Sequence, residues 1–404
     1  MQPLILITLY FPFFSLGCVL CTVQGGPGGS STGFGNFLEL GPLDADLQPR
    51  TTSWTSRANV LFVDNPVGTG FSYVDHLSLL TKTDLEIATD LVTLTEHFFK
   101  ANPDFAKTPF YVFCESYGGK MTSVFGQELQ KAILAGRLDI NFHGVALGDG
   151  WVSPIDSMAA WVPYLYTLSL INPAGVEKLN AIVNRTRVAM AKDEWTMATS
   201  LWSEMENVVG QLAADVDWYN VLKHTAFVTT DLSSLARQQL LKVPKELHVL
   251  YKRHVANMQA ESLNQLMNGE VKRHLGLNVT WGAQSGDVFT ALRGAFMKNS
   301  IASVDYLLAQ KVPVTIYQGQ LDLIVPTIGT ETYMKKLTWP GMAEFNKAVN
   351  KPILIEAEFG LFHQQYEHFN FFAVLKAGHM VPADQGEFAR TMLTMVLGMS
   401  NSSK

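Results

Sequence analysis

Cysteine is scarce in this chain: Cys18, Cys21 and Cys114 are the only three in 404 residues. So sparse and odd a set argues against a disulfide scaffold, and the Cys18-x-x-Cys21 spacing has no second pair with which to hold zinc. Because that pair sits in an apolar run, it reads as two strand or leader residues rather than a redox motif. Basic charge is also in deficit, 30 Lys and Arg against 36 Asp and Glu, a net of −6. No basic patch or stripe points to nucleic acid. No His-Glu-x-x-His occurs, and no glycine loop ends in Gly-Lys-Ser/Thr, so the zinc-peptidase and phosphate-loop motifs are missing. No metal or cofactor is expected. Internal repeats and low-complexity tracts are lacking as well.

Charge is absent altogether from Met1 to Val23. The run is long enough for a membrane anchor. It also resembles a secretory leader, with Ser15-Leu16-Gly17 supplying small residues before a cut, so residues 1–17 are read as a signal segment. A third reading makes Cys18–Val23 a buried strand. Asn184-Arg-Thr, Asn278-Val-Thr and Asn401-Ser-Ser are acceptor triplets for N-glycosylation, which favours the secretory route. No stable membrane association is expected.

What the chain does have is a large apolar fraction, 47%, arranged in a regular alternation. Apolar runs at Asn59–Asp64, Phe110–Phe113, Phe142–Leu147, Pro313–Tyr317 and Phe371–Leu375 predict buried strands. Helical periodicity predicts Asp84–Lys100, Lys120–Ile133, Ser303–Lys311 and a closing helix Gly386–Gly398. Strands alternating with helices at this spacing predict an α/β fold on a mainly parallel sheet. From Trp151 to about residue 285 the pattern turns helical, with helices over Ala174–Ala191, Trp195–Ala213, Ser233–Leu241 and Ala256–Met267. The expected organisation is a core of residues 18–150 and 286–404, interrupted by a helical cap at 151–285.

Three loops carry the chemistry. In Cys114-Glu-Ser-Tyr-Gly-Gly119 a strand meets a helix across a sharp turn that lifts the Ser116 hydroxyl above the sheet, the nucleophile-elbow pattern. The competing reading is a serine in an ordinary turn. Cys114 stands where the elbow usually starts with a smaller residue, and its Cβ would resist a strained backbone. Asp322 and His379 also follow predicted strands at their C-terminal ends, where open α/β sheets carry their sites. The order Ser116, Asp322, His379 suits a hydroxyl activated by an imidazole whose tautomer an aspartate fixes. Gln24-Gly-Gly-Pro-Gly-Gly-Ser-Ser-Thr-Gly33, with five glycines, reads as irregular backbone that approaches a ligand closely. Glu39 lies between two leucines, unusual for a surface strand. His363 and His368 match no metal spacing and are assigned to packing or surface.

Gly25–Ser31, Asp64–Tyr73, Glu115–Gly119 and Gly378–Pro382 together resemble the serine carboxypeptidase family, and Gly33–Asn36 and Gly319–Val325 resemble its retinoid-inducible branch. The resemblance covers Gln24 to the closing helix. It implies an α/β-hydrolase fold with a helical insertion, and hydrolysis of C-terminal residues from peptides with a free C-terminus through an acyl-enzyme. By position it implies Ser116 as nucleophile, Asp322 as orienting acid and His379 as base. It further implies Gly26 and Tyr117 N–H groups as the oxyanion hole, and Gln24, Glu39 and Glu115 as the group that holds the substrate carboxylate. Two ionised glutamates would repel that carboxylate, whereas a pair sharing one proton can donate to it, so activity is expected to favour acid pH. A secreted or lysosomal glycoprotein is implied. The same triad could serve an acyltransferase or esterase. The family's strands ahead of the glycine loop have only two dozen residues to form from, so an uncovered sheet edge and a catalytically impaired binding protein form a further alternative.

Overall fold

The computed structural model describes residues 7–10, 17–224 and 261–399. The helix expected over Ser233–Leu241 lies outside the described residues, as do Asn401 and the first part of the Ala256–Met267 segment.

Among the described residues nine strands form one sheet: β1 (Ile7–Tyr10), β2 (Val19–Val23), β3 (Asn59–Val63), β4 (Phe110–Glu115), β5 (Phe142–Gly148), β6 (Val314–Gly319), β7 (Lys351–Ile355), β8 (Glu358–Tyr366) and β9 (Phe369–Val374). Their order is β1-β3-β2-β4-β5-β6-β9-β8-β7. The block from β3 through β9 is parallel; β1 pairs antiparallel with β3 at one edge, and at the other β8 pairs antiparallel with β9 and β7 with β8. The central strands are buried on both faces and accordingly read as unbroken apolar runs rather than alternating ones. β2, β3, β4 and β6 contain no exposed position. Residues 7–10, within the segment read as a signal, pair with Val60–Val63. That pairing corrects the expectation of an uncovered edge beside β3.

Helices α1 (Asp84–Ala101), α2 (Gly118–Leu134), α3 (Pro154–Thr167), α4 (Pro173–Ala191) and α5 (Trp195–Leu212) contribute to one buried apolar cluster. α1 starts sharply because Thr83 Oγ1 accepts from the Glu86 N–H while the Glu86 carboxylate accepts from the Thr83 N–H, a reciprocal cap. Ile87, Leu91, Phe98 and Phe99 then pack with Met121, Phe125 and Leu129 of α2 over β4 and β5. The opposite face packs Trp54, Phe113, Tyr317 and Phe372 against Phe388, Met392 and Leu393 of the C-terminal helix Gly386–Val396. Between β5 and β6 the described residues are helical apart from connecting turns and isolated bridges. No helix among the described residues is long and apolar enough to cross a membrane.

Two parts of the fold depart from expectation. The glycine stretch is regular at its end: Ser31–Leu40 forms a wide helix, with Gly35 N–H donating to Ser30 O and Gly41 N–H to Asn36 O. The β7–β8 hairpin was not foreseen, because its strands are half exposed and carry charge. His363 lies in β8, stacked on Phe372 at 4.2 Å and bonded to Asn370 at 2.9 Å, while His368 bonds to Leu308 O at 2.9 Å. Both are packing residues, as expected.

Candidate active site

The C-terminal ends of β4, β5, β6 and β9 form one edge, and the three motif residues emerge there. Ser116 is the first residue beyond β4. Its N–H donates to Gly148 O at 3.0 Å, and its carbonyl accepts from Gly119 N–H at 2.8 Å and Trp151 N–H at 2.7 Å. These bonds hold it at φ 61°, left-handed and unfavourable for a residue with a Cβ. Ser116 itself bears the distortion. Cys114 keeps a strand conformation, its Sγ on Ala146 O at 3.4 Å, so the cysteine does not resist the turn as expected. All three cysteines are buried and free, and burial pushes the Cys114 thiol up to about 12.

Asp322 and His379 meet from different strands. His379 Nδ1 lies 2.7 Å from Asp322 Oδ2, with both residues buried. Asp322 Oδ1 accepts from Val325 N–H at 3.1 Å, and Gln318 Nε2 donates to Oδ2 at 3.3 Å. Burial pushes the Asp322 carboxyl well up, opposed by those donors, and pushes the His379 imidazole down, opposed by nearby carboxylates. The second ring nitrogen, Nε2, is buried and makes no hydrogen bond.

The glycine loop lies against the serine turn. A Cβ on Gly25 would sit 2.5 Å from Ser116 Cβ and 2.7 Å from Tyr117 N, so only glycine permits this approach. Gly26 follows at φ 109°, and Tyr117 leads into α2. Among the described residues neither the Gly26 nor the Tyr117 N–H donates a hydrogen bond. Two N–H groups beside a helix N-terminus can receive an oxyanion.

Gln24, Glu39 and Glu115 are brought together as well. Gln24 Nε2 donates to Glu39 Oε2 at 3.3 Å, and Glu115 lines the same small cavity as these two side chains. All three are buried, at 5%, 3% and 7% exposure. Two buried carboxyls lining one cavity disfavour double ionisation. Burial pushes Glu39 up to about 7; burial and then the Glu39 charge push Glu115 well above the carboxylate range. Of the glycosylation triplets, Asn184 on α4 and Asn278 are exposed.

Several supports escaped the sequence reading. Asp64, at the end of β3, accepts from Ser30 Oγ, Thr32 N–H, Thr32 Oγ1 and Phe71 N–H at 2.7–3.0 Å, tying both glycine-punctuated loops together. Its signal was an acid closing an otherwise apolar strand. Tyr117 Oη donates to Asp84 at 2.9 Å, and fully buried Lys120 pairs with the same carboxylate at 3.2 Å. Residues 281–285, from the end of the helical insertion, strap the glycine loop: Trp281 Nε1 donates to Ser30 Oγ, Ser30 N–H to Ala283 O, Gln284 Nε2 to Pro27 O and Ser285 N–H to Gly28 O. No local pattern announces a contact across some 250 residues.

Comparison with known proteins places this geometry in context. A family model described as serine carboxypeptidase matches residues 19–398. The retinoid-inducible serine carboxypeptidase of Mus musculus is 45% identical over 380 residues, covering 93% of this chain and 83% of its own. Serine carboxypeptidase-like 51 of Arabidopsis thaliana is 38% identical over 383 residues, covering 91% and 82%. Among solved structures, Kex1Δp, a prohormone-processing carboxypeptidase from Saccharomyces cerevisiae, superposes with a TM-score of 0.79 over 100% of this chain and 89% of that one, at 19% identity. That likeness bears on the fold, an α/β hydrolase.

Proposed function

The chain belongs to the serine carboxypeptidase family, and from that premise we propose that Ser116, His379 and Asp322 are its catalytic triad, working on peptides that present a free C-terminal carboxylate. The observation that carries this reading is the buried 2.7 Å contact between His379 Nδ1 and Asp322, with Nε2 left unengaged on the strand edge that bears Ser116. In the first half-reaction Ser116 Oγ attacks the carbonyl of the last peptide bond while His379 Nε2 takes the hydroxyl proton. The oxyanion is received by the Gly26 and Tyr117 N–H groups. His379 then returns the proton to the departing amine, the C–N bond breaks, and the C-terminal residue leaves. In the second half-reaction water, deprotonated by the same nitrogen, cleaves the Ser116 ester.

Exopeptidase selectivity is assigned to Gln24, Glu39 and Glu115. While the two glutamates share a proton, they can donate to the substrate carboxylate; once that proton is lost, they repel it. The upward displacement of Glu39 to about 7 therefore supports acid-favoured binding. Residues 151–285 are read as a cap over the site. Exposed Asn184 and Asn278 support passage through the secretory route as a glycoprotein, with a secreted or lysosomal destination; a mass loss on treatment with an N-glycosidase is the expected result.

The decisive experiment incubates the protein with a peptide at acid pH and reads the products by mass. Stepwise loss of C-terminal residues, abolished by amidating the peptide, is expected. Absence of peptide cleavage by an enzyme whose Ser116 still labels would instead favour an acyltransferase or esterase on the same triad.

A further inference from the structure

The end of β5 carries an acid that this mechanism does not use. Asp149, between Gly148 and Gly150, is fully buried and holds φ 45°, a left-handed backbone disfavoured for a residue with a Cβ. Its Oδ1 accepts from Gln318 Nε2 at 2.6 Å and from Gly319 N–H at 2.8 Å, whereas its Oδ2 receives no hydrogen bond. Gln318 Nε2 also reaches Asp322, so one amide bridges both carboxyls. A carboxyl oxygen of Asp149, one of Asp322 and a ring nitrogen of His379 all lie within 4.8 Å of one another.

Two buried carboxylates at this range cannot both ionise cheaply, and among the described residues neither has a lysine or arginine partner. Asp322 has the better claim to the charge, because it already accepts from Val325 N–H, Gln318 and His379. Asp149 has the oxygen that gains most by bearing hydrogen. Resting on the triad reading above, we propose that Asp149 is a positioning residue of the triad: protonated at neutral pH, it donates from Oδ2 to Asp322, steadies that carboxylate toward His379 and draws off part of its charge.

The surroundings agree with this assignment. Burial, and after it the Asp322 charge, push the Asp149 carboxyl well above the carboxylate range. The titratable groups that sense Asp149 are Asp322, His379, Glu115 and Tyr317. A less negative Asp322 stabilises the imidazolium less, so His379 stays a free base to lower pH, which suits an enzyme of acid compartments.

Asp149→Ala removes the donor, whereas Asp149→Asn keeps one in its Nδ2. The acid limb of kcat/KM, which reports the base of the free enzyme, is followed across about pH 4 to 8. In Asp149→Ala it should move up by about one unit, about a tenfold loss on that limb, while Asp149→Asn leaves its position in place. An unmoved limb with a uniform fall at every pH, the mark of a merely structural part, overturns the proposal, as does an equal shift in both variants. Infrared spectra give a second readout that stands if Asp149→Ala does not fold: Asp149→Asn should show one protonated carboxyl fewer than the wild type at neutral pH, and an unchanged carboxylic-acid band overturns the proposal. Labelling of wild-type Ser116 by an active-site phosphonate separates the two levels. Failure to label sinks the triad itself, whereas a labelled enzyme with an unmoved limb sinks only the role of Asp149.

Discussion

At the scale of residues, catalysis rests on side chains whose environments move them away from their behaviour in water. Ser116→Ala should lower release of the C-terminal residue by at least about 10³-fold, read by mass or by amino-acid assay, because the oxyanion donors alone retain only a small part of the rate. Its melting temperature should not fall, since the hydroxyl makes no bond that the fold needs. The Glu39–Glu115 pair makes a prediction of opposite character. Glu39, displaced up to about 7, loses its proton first and its charge holds the other proton on Glu115, so the pair gains its first negative charge as pH passes through about 7 and KM should begin to rise there. Glu115→Gln provides a permanent donor and should flatten that rise; an unchanged KM profile would remove the pair from carboxylate binding. The sequence pointed to both glutamates only through their odd surroundings and the family motifs. That they line one cavity was decided by the fold: Glu39 is buried in the wide helix Ser31–Leu40, and Glu115 ends β4.

At the scale of elements, the unit is a strand, a turn and a helix clamped from three sides. The glycine loop clamps from above through Gly25. Gly25→Ala must displace either that loop or the Tyr117 N–H, and a lost oxyanion donor costs about 10²–10³ in kcat. Substrate KM should change much less; a KM-only effect would place the loop in binding alone. The second clamp is buried Lys120, held by Asp84 and by the carbonyls of Ala295 and Phe296. Lys120→Met removes the cation and leaves Asp84 with Tyr117 alone. Breaking a buried pair in this way costs about 3–5 kcal/mol, which urea unfolding would register. The third clamp is the strap at 281–285, anchored on Ser30 and Pro27. The α and β periods made most of these elements legible: β3, β4, β5 and α1 through α5, with the exception of α3, stand within a few residues of where their patterns put them. The β7–β8 hairpin was not legible, because an exposed antiparallel edge has neither an unbroken apolar run nor strict alternation.

At the scale of the whole molecule, acids buried around the sheet edge tie stability to pH. Glu39, Glu115, Asp149 and Asp322 all have carboxyls raised by burial. An acid whose folded value lies above its unfolded one holds its proton longer in the folded state. Its stabilising contribution is therefore complete below the unfolded value and disappears as pH rises through the folded one, at about 1.4 kcal/mol per pH unit for each proton. His379, displaced downward, acts in the opposite sense and costs stability as pH falls below its ordinary value. Melting temperature should thus decline between about pH 6 and 8, and Glu39→Gln should reduce that decline; a curve rising across this range would contradict the shared proton. A reducing agent should leave the melting curve unchanged, since all three thiols are free. The sequence by itself determined the α/β rhythm, the strand-end positions of Ser116, Asp322 and His379, and the family, because burial on both faces and sharp turns leave local signatures in residue type. Only the tertiary structure decided that Ile7–Tyr10 covers β3, that residue 281 holds residue 30, and that Asp149 faces Asp322. Those contacts join segments whose local sequences carry no record of each other; the last exists because β5 and β6, adjacent and parallel, end at the same edge.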